Sequence, residues 1–321
     1  MMRFFICMAA AIAMAPVQAQ AQSYPNKPVR IMVGFAPGGI ADEMGRYLGD
    51  FLARETGNQG IVENRTGAAG IPALTAVAKA DPDGYTVGIA ISGSLVMSPF
   101  VQKQMPIDTM KDLALVSALV ETPNFIAISS KVPANNIAEF IALARSKPGG
   151  FEFGSAGMGS LPHLSAALFA NEAKIELVHV PFRGNAPAIA EMMAGRVTMV
   201  ASSIADLMPG VEAGQLRILL AAAPKRQSFM PDVPSAPEAG LPRYIVSTWV
   251  GLVAPPATPQ PILDRLHALS QRMMDDPQIQ KRLQTRHIQP MRMSRTEFST
   301  FVNKEYEDWR GYTQTMGIVP Q

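Results

Sequence analysis

Val33–Arg46 reads VGFAPGGIADEMGR. An apolar run stops at Pro37-Gly38-Gly39, and apolar residues at helical spacing begin at once. Glycine between a strand and a helix lets the backbone turn tightly and approach another group closely. The amides that open the helix have no intrahelical partner, and the helix dipole favours negative charge there. Such a turn could hold a nucleotide phosphate, a developing oxyanion or a carboxylate.

The same grammar runs outward from this stretch. Val29–Val33 reads as a strand, followed by a helix from about Ala41 to Thr56. Gly60–Asn64 reads as a strand and Ile71–Ala80 as a helix closed by Asp81-Pro82-Asp83-Gly84. Thr86–Ile91 is a strand that ends in Ser92-Gly93-Ser94. Further strands are expected at Phe151–Phe153, Leu177–Val180, Val197–Val200 and Ile218–Ala222, each preceded by a helix or turn. Strands alternating with helices of this length mean βαβ units, an α/β fold with mainly parallel sheets. Pro231–Pro242 has neither period and is expected to be a surface connection. Pro261–Met274 and Arg295–Tyr312 have the pattern of closing amphipathic helices.

The N-terminus carries an address. Arg3 is a positive n-region, Phe4–Ala15 an apolar run and Ala19-Gln20-Ala21 a small-x-small cleavage site. The run is shorter than the ~20 residues that a bilayer span needs. Residues 1–21 are therefore expected to be a cleaved signal peptide, with export to the periplasm. An uncleaved anchor is the alternative. Cys7 is the single cysteine and lies early in the run, not at the cleavage point where a lipoprotein needs it. The mature chain would have no thiol for a disulfide or a metal. Its 300 or so residues favour two domains.

The full chain carries 28 Lys and Arg against 26 Asp and Glu, or 27 against 26 without Arg3. There is no block of like charge, which argues against a nucleic-acid partner. ATP and NAD are poor expectations for an exported protein, and no cofactor is called for.

Ligands of open parallel sheets bind beyond the carboxyl ends of the strands. Those ends are 35–39, 92–94, 154–160, 181–185 and 201–203, mostly small or hydroxylic, and two are glycine-rich loops that open a helix. The sharper motifs are absent. No lysine follows Gly34–Gly39 as a Walker loop requires, no G-x-G-x-x-G exists, and neither Ser94 nor Ser155 sits in G-x-S-x-G. No nucleophile–base–orienter set is visible. His163 and His179 are read as hydrogen-bonded structural histidines and Asp42 as a turn and helix-dipole partner. Arg183 is the one cation in these loops. The candidate ligand-binding residues are Phe35, Ala36, Gly38, Gly39, Ser92, Ser155, Ala156, Gly157, Gly159, Ser160, His163, Arg183 and Ser202.

Taken in order, several short motifs resemble the periplasmic solute receptors of tripartite tricarboxylate transporters, the Bug family. They are Tyr24-Pro25-Asn26-Lys27-Pro28, Phe35-Ala36-Pro37-Gly38-Gly39, Val62-Glu63-Asn64-Arg65, Ala80-Asp81-Pro82-Asp83-Gly84-Tyr85, Gly154-Ser155-Ala156-Gly157, His179-Val180-Pro181-Phe182 and Leu252-Val253-Ala254-Pro255. The resemblance covers essentially the whole mature chain. It implies a Venus-flytrap fold, with residues 22–122 and 248–321 as one domain, 123–247 as the other, and crossings near Thr122 and Thr248. It also implies a monomer that is not an enzyme, which closes on a small carboxylate held by backbone amides of the two glycine loops and delivers it to membrane transporter subunits. A sensor for a membrane kinase and a secreted hydrolase with a glycine-loop oxyanion hole are the other readings.

Three positions depart from the family pattern. Ile40-Ala41 replaces Ser-Thr, Leu161-Pro162 replaces serines before His163, and Ser202 replaces Asp. The missing acid argues against an α-amino acid, so the expected ligand is a carboxylate with an apolar or aromatic body.

Overall fold

The computed structural model describes residues 24–182 and 184–320. The signal-peptide reading of residues 1–21 and the Arg183 assignment lie outside them. In chain order the elements are β1 Val29–Val33, α1 Ile40–Thr56, β2 Gly60–Asn64, α2 Ile71–Ala78, β3 Thr86–Ile91, α3 Ser98–Val101, β4 Ala114–Ser129, α4 Ile137–Ser146, β5 Glu152–Ser155, α5 Leu161–Ala173, β6 Val178–Pro181, α6 Asn185–Met193, β7 Met199–Ser203, α7 Ile204–Glu212, β8 Leu216–Ala221, β9 Ser247–Ala254, α8 Gln260–Asp275, α9 Pro277–Thr285, β10 Gln289–Pro290 and α10 Arg295–Thr315. Helical turns at 68–70 and 93–97 precede α2 and α3.

The strands make one sheet in the order β2-β1-β3-β9-β4-β7-β5-β6, with β8 and β10 also paired to β4. The outer pairs of each half are parallel, as the βαβ grammar requires: β1 with β2 and β3, β5 with β6 and β7. The centre is antiparallel. β9 pairs antiparallel to β3 and to β4, and β4 pairs antiparallel to β7 and β8. β4 thus belongs to both halves. It pairs β9 from Ala114 to Pro123, then β7 from Asn124 to Ile128. Thr122 and Thr248, the expected crossings, are direct partners in the β4–β9 register. The fold is two-lobed, with the lobes joined through this ladder.

Val29, Ile31 and Val33 of β1 pack with Leu48 and Leu52 of α1 and with Leu266 and Met273 of α8 in the first lobe. Phe125, Met192, Ile204 and Leu207 form a core in the second. A third cluster runs through both lobes and includes Trp249, Tyr244 and Phe169. At ~25 cal/mol per Å2, burial of aromatics this size dominates the local stability.

One expectation is refined and another changes. Pro231–Pro242 is a surface connection that is also anchored inward. Val233, Ser235, Ala236 and Leu241 are buried, and the Ala221 amide donates to Pro234 O. The segment lies along β8 through a parallel bridge from Ala221 to Ser235, so it needs no period of its own. Ser92-Gly93-Ser94 is not an open loop, since the helical turn 93–97 starts within it.

Candidate functional site

A cavity of about 1120 Å3 opens between the lobes. Phe35, Gly38, Gly39, Ile40 and Gly93 line it from the first lobe, and Ala156, Gly159, Ser160, Asn185, Ser202 and Asp206 from the second. Thr122, Asn124 and Thr248 form its floor on the crossing strands.

The turn at 35–39 is held from behind. Asp42 is 1% exposed, and its carboxylate accepts from the Gly38 amide (3.0 Å), Arg46 Nε (2.8 Å) and Asn64 Nδ2 (2.8 Å). Burial opposes its charge, but the bonds from Arg46, Asn64 and the Gly38 amide outweigh it and hold the carboxyl below the usual range. Asp42 is therefore the turn partner expected of it. The Gly38 amide is spent on this anchor. The amides that follow Gly39 are not: Gly39 is the N-cap of α1 and no side chain caps the helix. They are orphan donors at the positive end of a 17-residue helix, beside the cavity.

The loop at 154–160 uses its own donors. The Gly157 amide donates to Ser155 Oγ (3.1 Å), the Gly159 amide to His163 Nδ1 (3.1 Å) and the Ser160 amide to Gly157 O (3.2 Å). Ser160 Oγ donates to Gly157 O (2.6 Å) and caps α5 by accepting from the His163 amide. Gly157 and Gly159 have φ of +115° and +73°, which L side chains rarely adopt. The Gly157, Gly159 and Ser160 amides are thus spent within the loop, whereas Ala156, Met158 and Leu161 line the cavity. Two helix starts in the second lobe have no side-chain cap, those of α6 at Gly184 and α7 at Ser203.

His163 and His179 stack at 4.1 Å, and Phe153 stacks on His179 at 4.8 Å. Burial lowers both histidines, and His179 lowers His163 further, to about 4. Since His163 Nδ1 accepts from Gly159, the ring is neutral with its proton on Nε2. The structural reading of both histidines agrees with this. Ser155 Oγ lies 2.7 Å from His179 Nε2, a serine–histidine contact that the sequence did not reveal. Ser155 is wholly buried and outside the cavity lining, and its hydroxyl is also engaged by Gly157. The pair braces the loop from outside the cavity lining.

Of the candidate residues, Phe35, Gly38, Gly39, Ala156, Gly159, Ser160 and Ser202 line the cavity. Ala36, Ser92, Ser155, Gly157 and His163 do not. Ser92 is buried with its hydroxyl towards Ser247 O (3.4 Å), and Ser155, Gly157 and His163 form the scaffold behind the second loop.

Sequence reasoning missed several residues. Lys103 and Arg286 bring cations to the cavity, and Arg286 also pairs with Glu43 of α1. Asp206 lies one helical turn after Ser202 and accepts from its hydroxyl (2.8 Å) and from Asn185 Nδ2 (2.9 Å). The acid thought to be missing is thus present in the cleft, and the argument drawn from its absence falls. Thr122, Asn124 and Thr248 could have been found from the crossings, because whatever joins two lobes also floors the cleft between them.

A family profile and solved structures both show what the chain is similar to. The family profile described as "Tripartite tricarboxylate transporter family receptor" matches residues 44–318. An R. palustris protein solved with adipate superposes with a TM-score of 0.83 at 28% identity, covering 93% of this chain and 100% of its own. MatC from Rhodopseudomonas palustris, solved with bound malate, has a TM-score of 0.78 at 30% identity over 90% and 99% of the two chains. The periplasmic binding protein BugD has a TM-score of 0.79 at 26% identity over 93% and 100%.

Proposed function

The chain belongs to the tripartite tricarboxylate transporter receptor family, and from that membership and the cleft we propose that it captures a small carboxylate in the periplasm and delivers it to a membrane transporter of that type. The observation that carries the reading is the position of the uncapped α1 start on a cavity walled by both lobes. Relatives solved with adipate and malate support the ligand class. A helix dipole contributes only ~0.3–1 kcal/mol, whereas micromolar affinity needs about 8 kcal/mol. Several charge-assisted hydrogen bonds of ~1.5–3 kcal/mol each can supply the remainder after ordering costs, provided that both walls close on the ligand. The reading is one of binding without chemistry, in keeping with the receptor description of the family profile and with the periplasmic binding protein BugD.

Residues 22–122 and 248–321 form one hinged domain in this reading and residues 123–247 the other, with the bend at the Thr122–Thr248 rung. A panel of small carboxylates tested by thermal shift identifies a ligand, because anything that binds the native state raises its melting temperature by mass action. X-ray scattering with and without that ligand is expected to give a smaller radius of gyration when it is bound. An unchanged radius in both states, together with no thermal shift from any acid, sinks the proposal.

Export follows from the N-terminal pattern and from kinship with a periplasmic binding protein. No helix among the described residues is long and apolar enough to cross a membrane. N-terminal sequencing of protein from the periplasmic fraction is expected to begin at Gln22. A chain that retains Met1 overturns the cleavage.

A further inference from the structure

His287 stands where a glycine would cost less. Helix α9 ends at Thr285 in a turn whose His287 amide donates to Gln284 O (3.1 Å) and whose Ile288 amide donates to Leu283 O (2.9 Å). This pair of bonds needs a left-handed residue at His287, which has φ +56°. Glycine is the usual residue there because it has no Cβ to strain. A side chain at such a place is offset by a contact of its own, and the imidazole has one. It stacks on Phe229, with ring centroids 4.3 Å apart and planes 18° apart. Two residues on, Gln289 Nε2 donates to Gln227 Oε1 (3.0 Å).

These contacts cross from one lobe to the other. Leu283 and Ile288, on either side of the turn, belong to the first-lobe core, whereas Phe229 packs against the second-lobe core, 6.2 Å from Phe125. The crossing lies next to the hinge, since Gln289 pairs with Glu121 of β4, one residue before Thr122. It also abuts the ligand cavity. Arg286 and Ile288 line that cavity, but His287 and Phe229 do not. Arg286 pairs with Glu43 in the first turn of α1, so the same wall steadies the helix start offered to the anion. A ring stack beside a hinge survives only over a narrow range of lobe angles. We propose that His287 is a positioning residue: its stack on Phe229 clasps the lobes at the angle that shapes the cavity, and so sets how readily the cleft shuts on a ligand that neither ring touches. An aromatic pair acting on that equilibrium changes the apparent affinity about fivefold. The inference rests on the hinged, carboxylate-binding reading above.

Spin labels on the two lobes test it. The single cysteine is Cys7, so a chain that starts at Gln22 takes labels only at introduced thiols. Thr66→Cys and Ala186→Cys place them at exposed positions beside the cavity, one on each lobe and neither in its lining. Without ligand, the distance distribution should contain a short, shut population, and His287→Gly should lower the ratio of shut to open about fivefold. Because glycine relieves the left-handed backbone, the variant should melt no more than ~3 °C below its parent. Calorimetry with adipate and with malate should show a similar loss of affinity for whichever acid binds. Phe229→Leu, which keeps an apolar side chain against Phe125, should shift the distances the same way and serves if the glycine frays α9. Distributions that match the parent in both variants overturn the clasp and leave carboxylate capture standing. A steep fall in melting temperature with unmoved distances assigns the ring to the fold alone and overturns it as well. Loss of the shut population without loss of affinity overturns the link to binding. The distances need no ligand, so they decide the clasp even where neither acid binds, a result that counts against the carboxylate reading alone.

Discussion

Gly39→Val is expected to weaken carboxylate binding at least 100-fold while the protein stays folded. Gly39 has φ −82° and ψ 168°, extended backbone open to any residue, and a Cβ built there meets only Ala36 O at 3.9 Å. The fold therefore accepts the side chain. The cleft does not, because the two methyls stand where an anion would approach the first-turn amides of α1. Losing two charge-assisted hydrogen bonds of ~1.5–3 kcal/mol each accounts for the effect. A β-branched N-cap in place of glycine costs ~1 kcal/mol, or a few degrees in a chain this size. Calorimetric titration with a ligand from the carboxylate panel reads the binding, and a melting curve checks the fold. Near wild-type affinity in folded Gly39→Val protein removes α1 from the site. Gly157→Val is the poorer test, since φ +115° strains any side chain there and Gly157 is outside the cavity lining.

Glu305→Gln is expected to change how stability depends on pH. Glu305 of α10 is partly buried and accepts from Trp249 Nε1. Burial pushes its carboxyl up to about 7, the Trp249 bond opposes this, and Asp308 and Glu121 add to it. A carboxyl whose value is raised on folding binds its proton more tightly in the native state. It stabilises the fold below the unfolded value near 4.5 and withdraws that support as pH rises towards 7. His163 has the opposite slope. Its folded value of about 4 lies below the unfolded 6.5, so the contribution of its neutral ring is present above 6.5 and is lost as pH falls towards 4. Each shift corresponds to about 3 kcal/mol at full extent, and over the shared window the two largely cancel. Glutamine keeps the acceptor for Trp249 and removes the titration. Urea unfolding at pH 4.5, 5.5 and 7 should therefore show Glu305→Gln gaining about 3 kcal/mol on the wild type across that range. Parallel stability curves for the two proteins would show that folding does not raise the Glu305 carboxyl.

Val29–Val33 and Thr86–Ile91 were legible because buried strands with a parallel partner leave continuous apolar runs, and both have the bounds read from the sequence; Gly60–Asn64 has them too, although it is a half-exposed edge strand. β4 was not legible. Ser117, Glu121, Thr122, Pro123 and Asn124 break its apolar pattern, and they do so where the strand changes partners and floors the cleft. Strand β9 was missed for a related reason: its start, Ser247-Thr248, is polar because it shares that floor. The glycine loops could be read as loops, but which amides stay free could not. That depends on Asp42 reaching back to Gly38 and on His163 folding onto Gly159, contacts that no spacing rule encodes. Arg286 and Lys103 reach the cavity from a helix end and a loop with no glycine signature, so only the tertiary path reveals them.

β9 lies between β3 and β4, although more than 150 residues separate it from β3 in the chain. Strand β3 therefore waits, with one edge unpaired, until residues 247–254 have been made. The second lobe needs no such wait, because β5, β6, β7 and β8 find partners among themselves and with β4. The order of assembly is written into the sheet: the inner lobe can condense on the chain as it emerges, and the outer lobe is sealed last from both ends. Contacts this distant in sequence are slow to form. Under the proposed export, which would carry the chain across a membrane before it folds, the delay is useful, since the first hundred residues cannot complete their own sheet ahead of the strand that closes it.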